Sequence, residues 1–143
     1  MILTRLMIAA AAGLVCTIGC SDATASSSDQ PSSNDKPGTA TVSLMSNNQD
    51  DGAISLTIHG PGLSSATALD SRLTVFSRLA SPTELKVIVL GDSVGPGALF
   101  TLPVGASNRP EAYTVSIDQV AMPSDSLRPD VSRYQASLAA STN

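Results

Sequence analysis

Ile54-Ser55-Leu56-Thr57-Ile58-His59 decides the fold class, because three aliphatic side chains alternate there with two hydroxyls and an imidazole. A period of two places the aliphatic residues on one face of an extended strand, whereas a helix would scatter them around its axis. The same period recurs outward from this stretch. Val42 and Leu44 alternate with Thr41 and Ser43, and four further runs follow: Leu73 and Val75; Leu85, Val87 and Val89; Phe100, Leu102 and Val104; and Tyr113, Val115 and Ile117. Asn47 to Gly52 is a polar turn, which predicts a hairpin or a closely related connection between the first two runs. Ile88 and Leu90 make the fourth run apolar on both faces, which predicts a central, well-covered strand. Pro103 in the fifth run predicts an end or edge position, where a missing N–H is tolerated. After Ile117 the apolar phase moves to Val120 and Met122, the signature of a bulge.

The segment 131–139 admits two readings. Val131, Tyr134 and Leu138 fit a helical stripe, while Tyr134, Ala136 and Leu138 fit a strand. We favour the strand, because about seven antiparallel strands close a sandwich core better with it.

The amino-terminal part is of another kind. Arg5 is the only charge in residues 1–19, and an apolar or small run extends from Leu6 to Gly19. A spanning helix needs about 20 apolar residues, so this stretch is short for a crossing and is expected to be a signal peptide. Thr17-Ile18-Gly19-Cys20 resembles the bacterial lipobox, with a small residue before the cysteine and Thr17 where leucine is usual. The resemblance implies cleavage before Cys20 and lipidation of its thiol. It also implies an anchor in the bacterial cell envelope, with Ser21 and Asp22 pointing to the outer membrane. Cys16 would leave with the signal, so the exported part would have no cysteine for a disulfide.

Residues 20–38 are dominated by Ser, Asp, Asn, Thr, Ala and Pro without a large apolar side chain. Such composition cannot offset its ordering entropy and is expected to be a flexible tether. Its end-to-end distance would average about 25 Å. Residues 39–143 then form one domain, long enough for a single core. The expected organisation is therefore signal peptide 1–19, lipidated Cys20 with tether 20–38, and β-domain 39–143.

Composition excludes one partner class. The chain carries a net charge of −4 at pH 7, and the exported part is more acidic still because the signal takes Arg5 with it. Its basic residues are scattered singly, which does not suit nucleic acid. With no Trp, two Tyr and two Phe, and with Phe100 and Tyr113 in apolar strand phase, platforms for stacking sugars are scarce.

Taken together, Val42-Ser43-Leu44, Asp50-Asp51-Gly52-Ala53, Gly60-Pro61-Gly62, Val87-Ile88-Val89-Leu90-Gly91, Ala98-Leu99-Phe100, Tyr113-Thr114-Val115 and Tyr134 resemble short bacterial lipoproteins built from a tether and one β-domain. The strand pattern is also loosely similar to cohesin-like sandwiches of extracellular bacterial proteins, which bind partner proteins. These resemblances imply an all-β, Ig-like or cohesin-like antiparallel sandwich and an envelope address, and they supply no catalytic residue.

One motif points to chemistry. Lys86-Val87-Ile88-Val89-Leu90-Gly91-Asp92-Ser93 resembles the first block of GDSL-type esterases, and Gly91-Asp92-Ser93-Val94-Gly95 satisfies the Gly-x-Ser-x-Gly elbow. Both need a histidine downstream and a helix behind the serine. His59 is the only histidine and precedes Ser93, while Gly95-Pro96-Gly97 leads into another alternating run. Ser93 is therefore expected in a hairpin turn without a base to activate it. Asn47, Asn48, Asp50 and Asp51 gather oxygen ligands suited to calcium but lack EF-hand order, so a polar turn ending at Gly52 is the expectation. His59 has no second imidazole or thiolate to share a metal with and is expected on the surface. The leading expectation is thus a non-catalytic, membrane-anchored interaction or structural module without a cofactor. A calcium- or glycan-binding sandwich is the alternative, and a GDSL-like esterase the remote one.

Overall fold

The computed structural model describes residues 34–142. Cys20, the signal peptide and most of the tether lie outside the described residues. Within them the chain forms eight strands: β1 (Gly38–Met45), β2 (Asp51–His59), β3 (Thr67–Ala68), β4 (Thr74–Ser81), β5 (Glu84–Val94), β6 (Gly97–Val104), β7 (Thr114–Ala121) and β8 (Gln135–Thr142). A single 3-10 turn, Pro110–Ala112, precedes β7. Two antiparallel four-stranded sheets result, with orders β3-β6-β1-β8 and β4-β5-β2-β7. The all-β sandwich expected from the alternation is the observed fold, with two-residue β3 as an eighth strand.

The strand order is that of one long hairpin rolled upon itself. β4 and β5 form its tip, and the arms pair successively as β3 with β6, β2 with β7 and β1 with β8. Every connection except β4–β5 passes from one sheet to the other. The expected hairpin between the first two runs is accordingly corrected: β1 and β2 lie in opposite sheets. The turn 46–50 bridges the layers, because the inward faces of both strands must meet in one core.

That core is drawn from the predicted alternation. Ala40, Val42 and Leu44 of β1 and Leu102 and Val104 of β6 face Ile54, Leu56 and Ile58 of β2 and Leu85, Val87 and Val89 of β5, and all are buried. A bulge interrupts β7 opposite β2, where Ser55 pairs with Gln119 and Leu56 with Ile117, leaving Asp118 as the extra residue. This is the phase shift anticipated after Ile117, and it returns Val120 to the core. The segment 135–142 is strand, as favoured, with Tyr134 buried just before it.

β5 is internal to its sheet, flanked by β4 and β2, but it is not covered on its outer side. Ile88 is 45% and Leu90 38% exposed, beside Phe76 at 58%. The expected cover is therefore absent, because no second layer packs outside this sheet among the described residues. Pro103 lies beyond the short reach of β3, which pairs only with Phe100 and Thr101, so β6 is locally an edge there. Residues expected to belong to the tether also enter the structure. The Lys36 carbonyl accepts from the Ser107 N–H at 2.8 Å, and the Asp35 carboxylate holds the Arg109 guanidinium in a bidentate pair at 2.7 Å.

Candidate functional site

The two ends of the sandwich differ in what they carry. At the entry pole the chain arrives through Asp35 and Lys36 beside Ser107 and Arg109, and β1, β6 and β8 have their near ends at Gly38, Val104 and Thr142. At the far pole lie the turns 46–50, 69–73, 95–96 and 122–134.

A cleft of about 610 Å³ opens at the far pole, lined by Gln49, Asp70, Arg72, Asp92, Ser93 and Pro96 among others. Its floor depends on how β5 ends. Asp51 pairs with Val94 and Ala53 with Leu90, so Gly91, Asp92 and Ser93 oppose a single residue, Gly52. This wide irregularity lets Val94 turn back into the core while Asp92 and Ser93 stay exposed. Ser93 therefore lies near the end of β5, whose connection at 95–96 leads to β6 in the other sheet, and the hairpin turn expected at 91–95 is corrected on that point. The Ser93 hydroxyl donates to the Gln49 carbonyl, tying the turn 46–50 to the end of β5.

One wall is an Asx-type turn. The Asp70 carboxylate accepts from the Arg72 N–H at 2.9 Å and from the Arg72 guanidinium at 3.1 and 2.5 Å, while the Leu73 N–H donates to the Asp70 carbonyl at 3.0 Å. The Arg72 side chain, then its N–H, hold the Asp70 carboxyl down at about 2. Both groups face solvent, so the pair shapes the rim and contributes little to stability.

Beside the cleft is a buried charged clamp. Asp51 is fully buried; its carboxylate accepts from Arg128 Nε at 2.9 Å and from the Tyr134 hydroxyl at 3.0 and 2.9 Å. Asn48 Nδ2 donates to the same hydroxyl at 2.6 Å, and Arg128 Nη2 donates to Asp50 at 2.8 Å. Hydrogen bonding to Asp51 raises the Arg128 pKa further. Of the four oxygen-bearing residues weighed for calcium, Asp50 and Asp51 are thus matched by a guanidinium, and Asn48 is used by Tyr134. A group of three or more His, Cys, Asp and Glu side chains able to hold a metal is not found among the described residues.

His59 is exposed at the entry pole, where it pairs with Glu84 and Thr114. Ser93 stands nine residues along β5 from Glu84, about 30 Å at 3.3 Å per residue. The fold consequently does not bring together the serine and the histidine that an esterase reading would require.

Sequence reasoning overlooked Asp70, Arg72 and Arg128. Asp70-Ser71-Arg72 carries a local signal, since an Asx turn places its carboxylate over the N–H two residues on. Arg128 carries none, because its partner Asp51 is 77 residues away. Scans of protein-family models, curated proteins and solved structures return no match to this chain.

Proposed function

We propose that this protein is an envelope-anchored, non-catalytic interaction module, held to a bacterial membrane through a lipid on Cys20 and presenting its far pole for recognition. The observation that supports this reading is the separation of the two ends. The chain enters the sandwich beside Ser107 and Arg109, whereas the cleft at Gln49, Asp70, Arg72 and Ser93 opens at the opposite end. Strands of eight residues set the poles roughly 25 Å apart, so an anchor on the entry side directs the cleft away from the membrane. Surface turns carried on a rigid sheet scaffold are the usual site of recognition.

The test has two arms on the full chain. With a palmitate analogue supplied to growing cells, label should enter the wild-type protein, and Cys20→Ala should lose both label and membrane association; a labelled Cys20→Ala variant would refute the anchor. A photocrosslinking residue replacing exposed Pro96 should then capture an envelope component that the same residue at Glu111, on the entry side, does not. Equal capture from both would refute the assignment of recognition to the far pole. Ser93→Ala should leave short-chain ester turnover by purified protein at background, whereas turnover abolished by that change would favour a hydrolase.

A further inference from the structure

Four strands form the edges of the two sheets: β3 and β8 in one, β4 and β7 in the other. An exposed edge presents unpaired N–H and C=O groups and invites strand addition unless it is blunted. Three of the four are blunted. β3 is two residues long. β4 carries Arg78, has a register irregularity between Leu79 and Ser81, and is flanked by the preceding segment, whose Ala66 N–H donates to Ser77 Oγ at 3.0 Å. β7 carries the bulged Asp118, and its end is covered where Ala121 bridges Leu127 and the Arg128 N–H donates to the Val120 carbonyl at 2.8 Å.

β8 has none of these devices. Gln135-Ala136-Ser137-Leu138-Ala139-Ala140-Ser141-Thr142 holds no charge and no proline, and its register with β1 runs unbroken from Met45↔Gln135 to Gly38↔Thr142. On the flank where this edge opens, the core is also incompletely closed. Val115 and Ile117 of β7 and Ala136, Leu138 and Ala140 of β8 pack against the core but remain only partly buried. A strand added to β8 would complete both its hydrogen bonding and this apolar flank.

We infer that β8 is a self-association edge, pairing antiparallel with β8 of a second copy to join two four-stranded sheets into one of eight. The occupant must put small apolar side chains inward and neutral ones outward, and must bring no charge against an uncharged strand. β8 meets this description itself: Ala136, Leu138 and Ala140 point inward and alternate with exposed Ser137, Ala139 and Ser141. A two-fold axis across the edge therefore opposes no like charges, and cross-strand pairs of small neutral residues are well tolerated. An eight-residue antiparallel pair supplies roughly eight main-chain hydrogen bonds, close to the ten or so of an ordinary protein interface. Residues 34–36 leave the edge open, because they run beside Ser107, Asn108 and Arg109 after the end of β6. Antiparallel pairing inverts one copy relative to the other, so residues 34–38 of the two copies lie at opposite ends of the dimer; the outward-facing cleft proposed above belongs to a single anchored copy, whereas paired copies on one membrane lie on their sides with a cleft at each end of the dimer. The inference rests on residues 135–142 and stands whether or not Cys20 is lipidated.

Cysteine scanning of the full chain tests it. Ser137→Cys, Ala139→Cys and Ser141→Cys, oxidised in cells, should give a disulfide-linked dimer of this chain with its maximum at one position, while Thr67→Cys on the opposite edge should give none. On the otherwise wild-type chain, Ala139→Lys or Ala139→Glu alone should abolish the dimer as read by light scattering of the purified protein, and mixing the Lys and Glu forms should restore it. Because Ala139 is exposed, restored pairing also shows that both forms fold. Crosslinks to a different protein, equal crosslinking at Thr67, or a dimer indifferent to both charges would each overturn the assignment of β8 to a second copy.

Discussion

Each pole of the sandwich is closed by one of the two tyrosines, and the two are held by different kinds of group. Tyr113, at the entry pole, bonds only to main chain: its hydroxyl accepts from the Ala106 N–H at 2.8 Å and donates to the Pro61 carbonyl at 2.9 Å. The ring lies against Gly60, where an added Cβ would stand 2.1 Å from Cδ1. Tyr134, at the far pole, bonds to side chains, donating to buried Asp51 and accepting from Asn48. A closure built on main chain ties down the shape of the backbone and leaves little scope for substitution around it. A closure built on side chains lets the turns 46–50 and 122–134 vary as long as the Asp51–Arg128 pair is kept. The pole proposed to face a partner is therefore the one whose surface can change without loss of the fold.

This contrast can be broken from either end. Asp51→Ala should have the largest effect, about 3–5 kcal/mol, because it leaves the Arg128 charge without its buried partner and Tyr134 without its acceptor; urea unfolding of the purified protein measures it. Gly60→Ala should cost roughly 3 kcal/mol by the same assay, since the residue sits at φ +154° and the Tyr113 ring would have to move. A loss below about 0.5 kcal/mol would mean that the entry pole is more plastic than its packing indicates. Tyr113→Phe should cost about 1–3 kcal/mol, the penalty for a buried N–H and carbonyl deprived of a hydroxyl.

Alkali should also act at the entry pole. Burial raises the Tyr113 pKa above 10. A group whose folded pKa is raised contributes its stability below the unfolded value and loses it as pH climbs through the folded one. Absorbance titration should therefore show one tyrosine ionising late, and Tyr113→Phe should remove that step. The smallest effect belongs to the cleft rim. Arg72→Ala should change stability by less than about 0.5 kcal/mol, yet it should raise the Asp70 carboxyl from about 2 part of the way toward the ordinary carboxylate range, the backbone N–H of residue 72 being kept, as read by NMR titration. An Asp70 that still titrated near its original position would show that the backbone N–H alone holds it down.

Much of this architecture is legible in the chain itself. Strand identity was legible at Ile54, Leu56 and Ile58 and at Leu85, Val87 and Val89, because burial on one face of a strand imposes the period of two directly on the residues. The bulge in β7 was legible for the same reason, since an extra residue at Asp118 shifts that period visibly. Ile88 and Leu90 misled because apolar character alone does not distinguish a covered face from an exposed one. The cleft was half legible: Ser93 was singled out for a motif whose histidine the fold puts at the opposite pole, while Asp70 and Arg72, which shape the rim, were passed over.

The sequence by itself determined the longer strands from β1 to β7 and the inward face of each, because alternation is a local consequence of backbone geometry. Only the tertiary structure decided which strands pair, that β1 and β2 belong to opposite sheets, and that Asp51 meets Arg128 and Tyr134. Those partners lie 77 and 83 residues from Asp51 in the chain, and a period of two carries no information about which neighbour a strand will take.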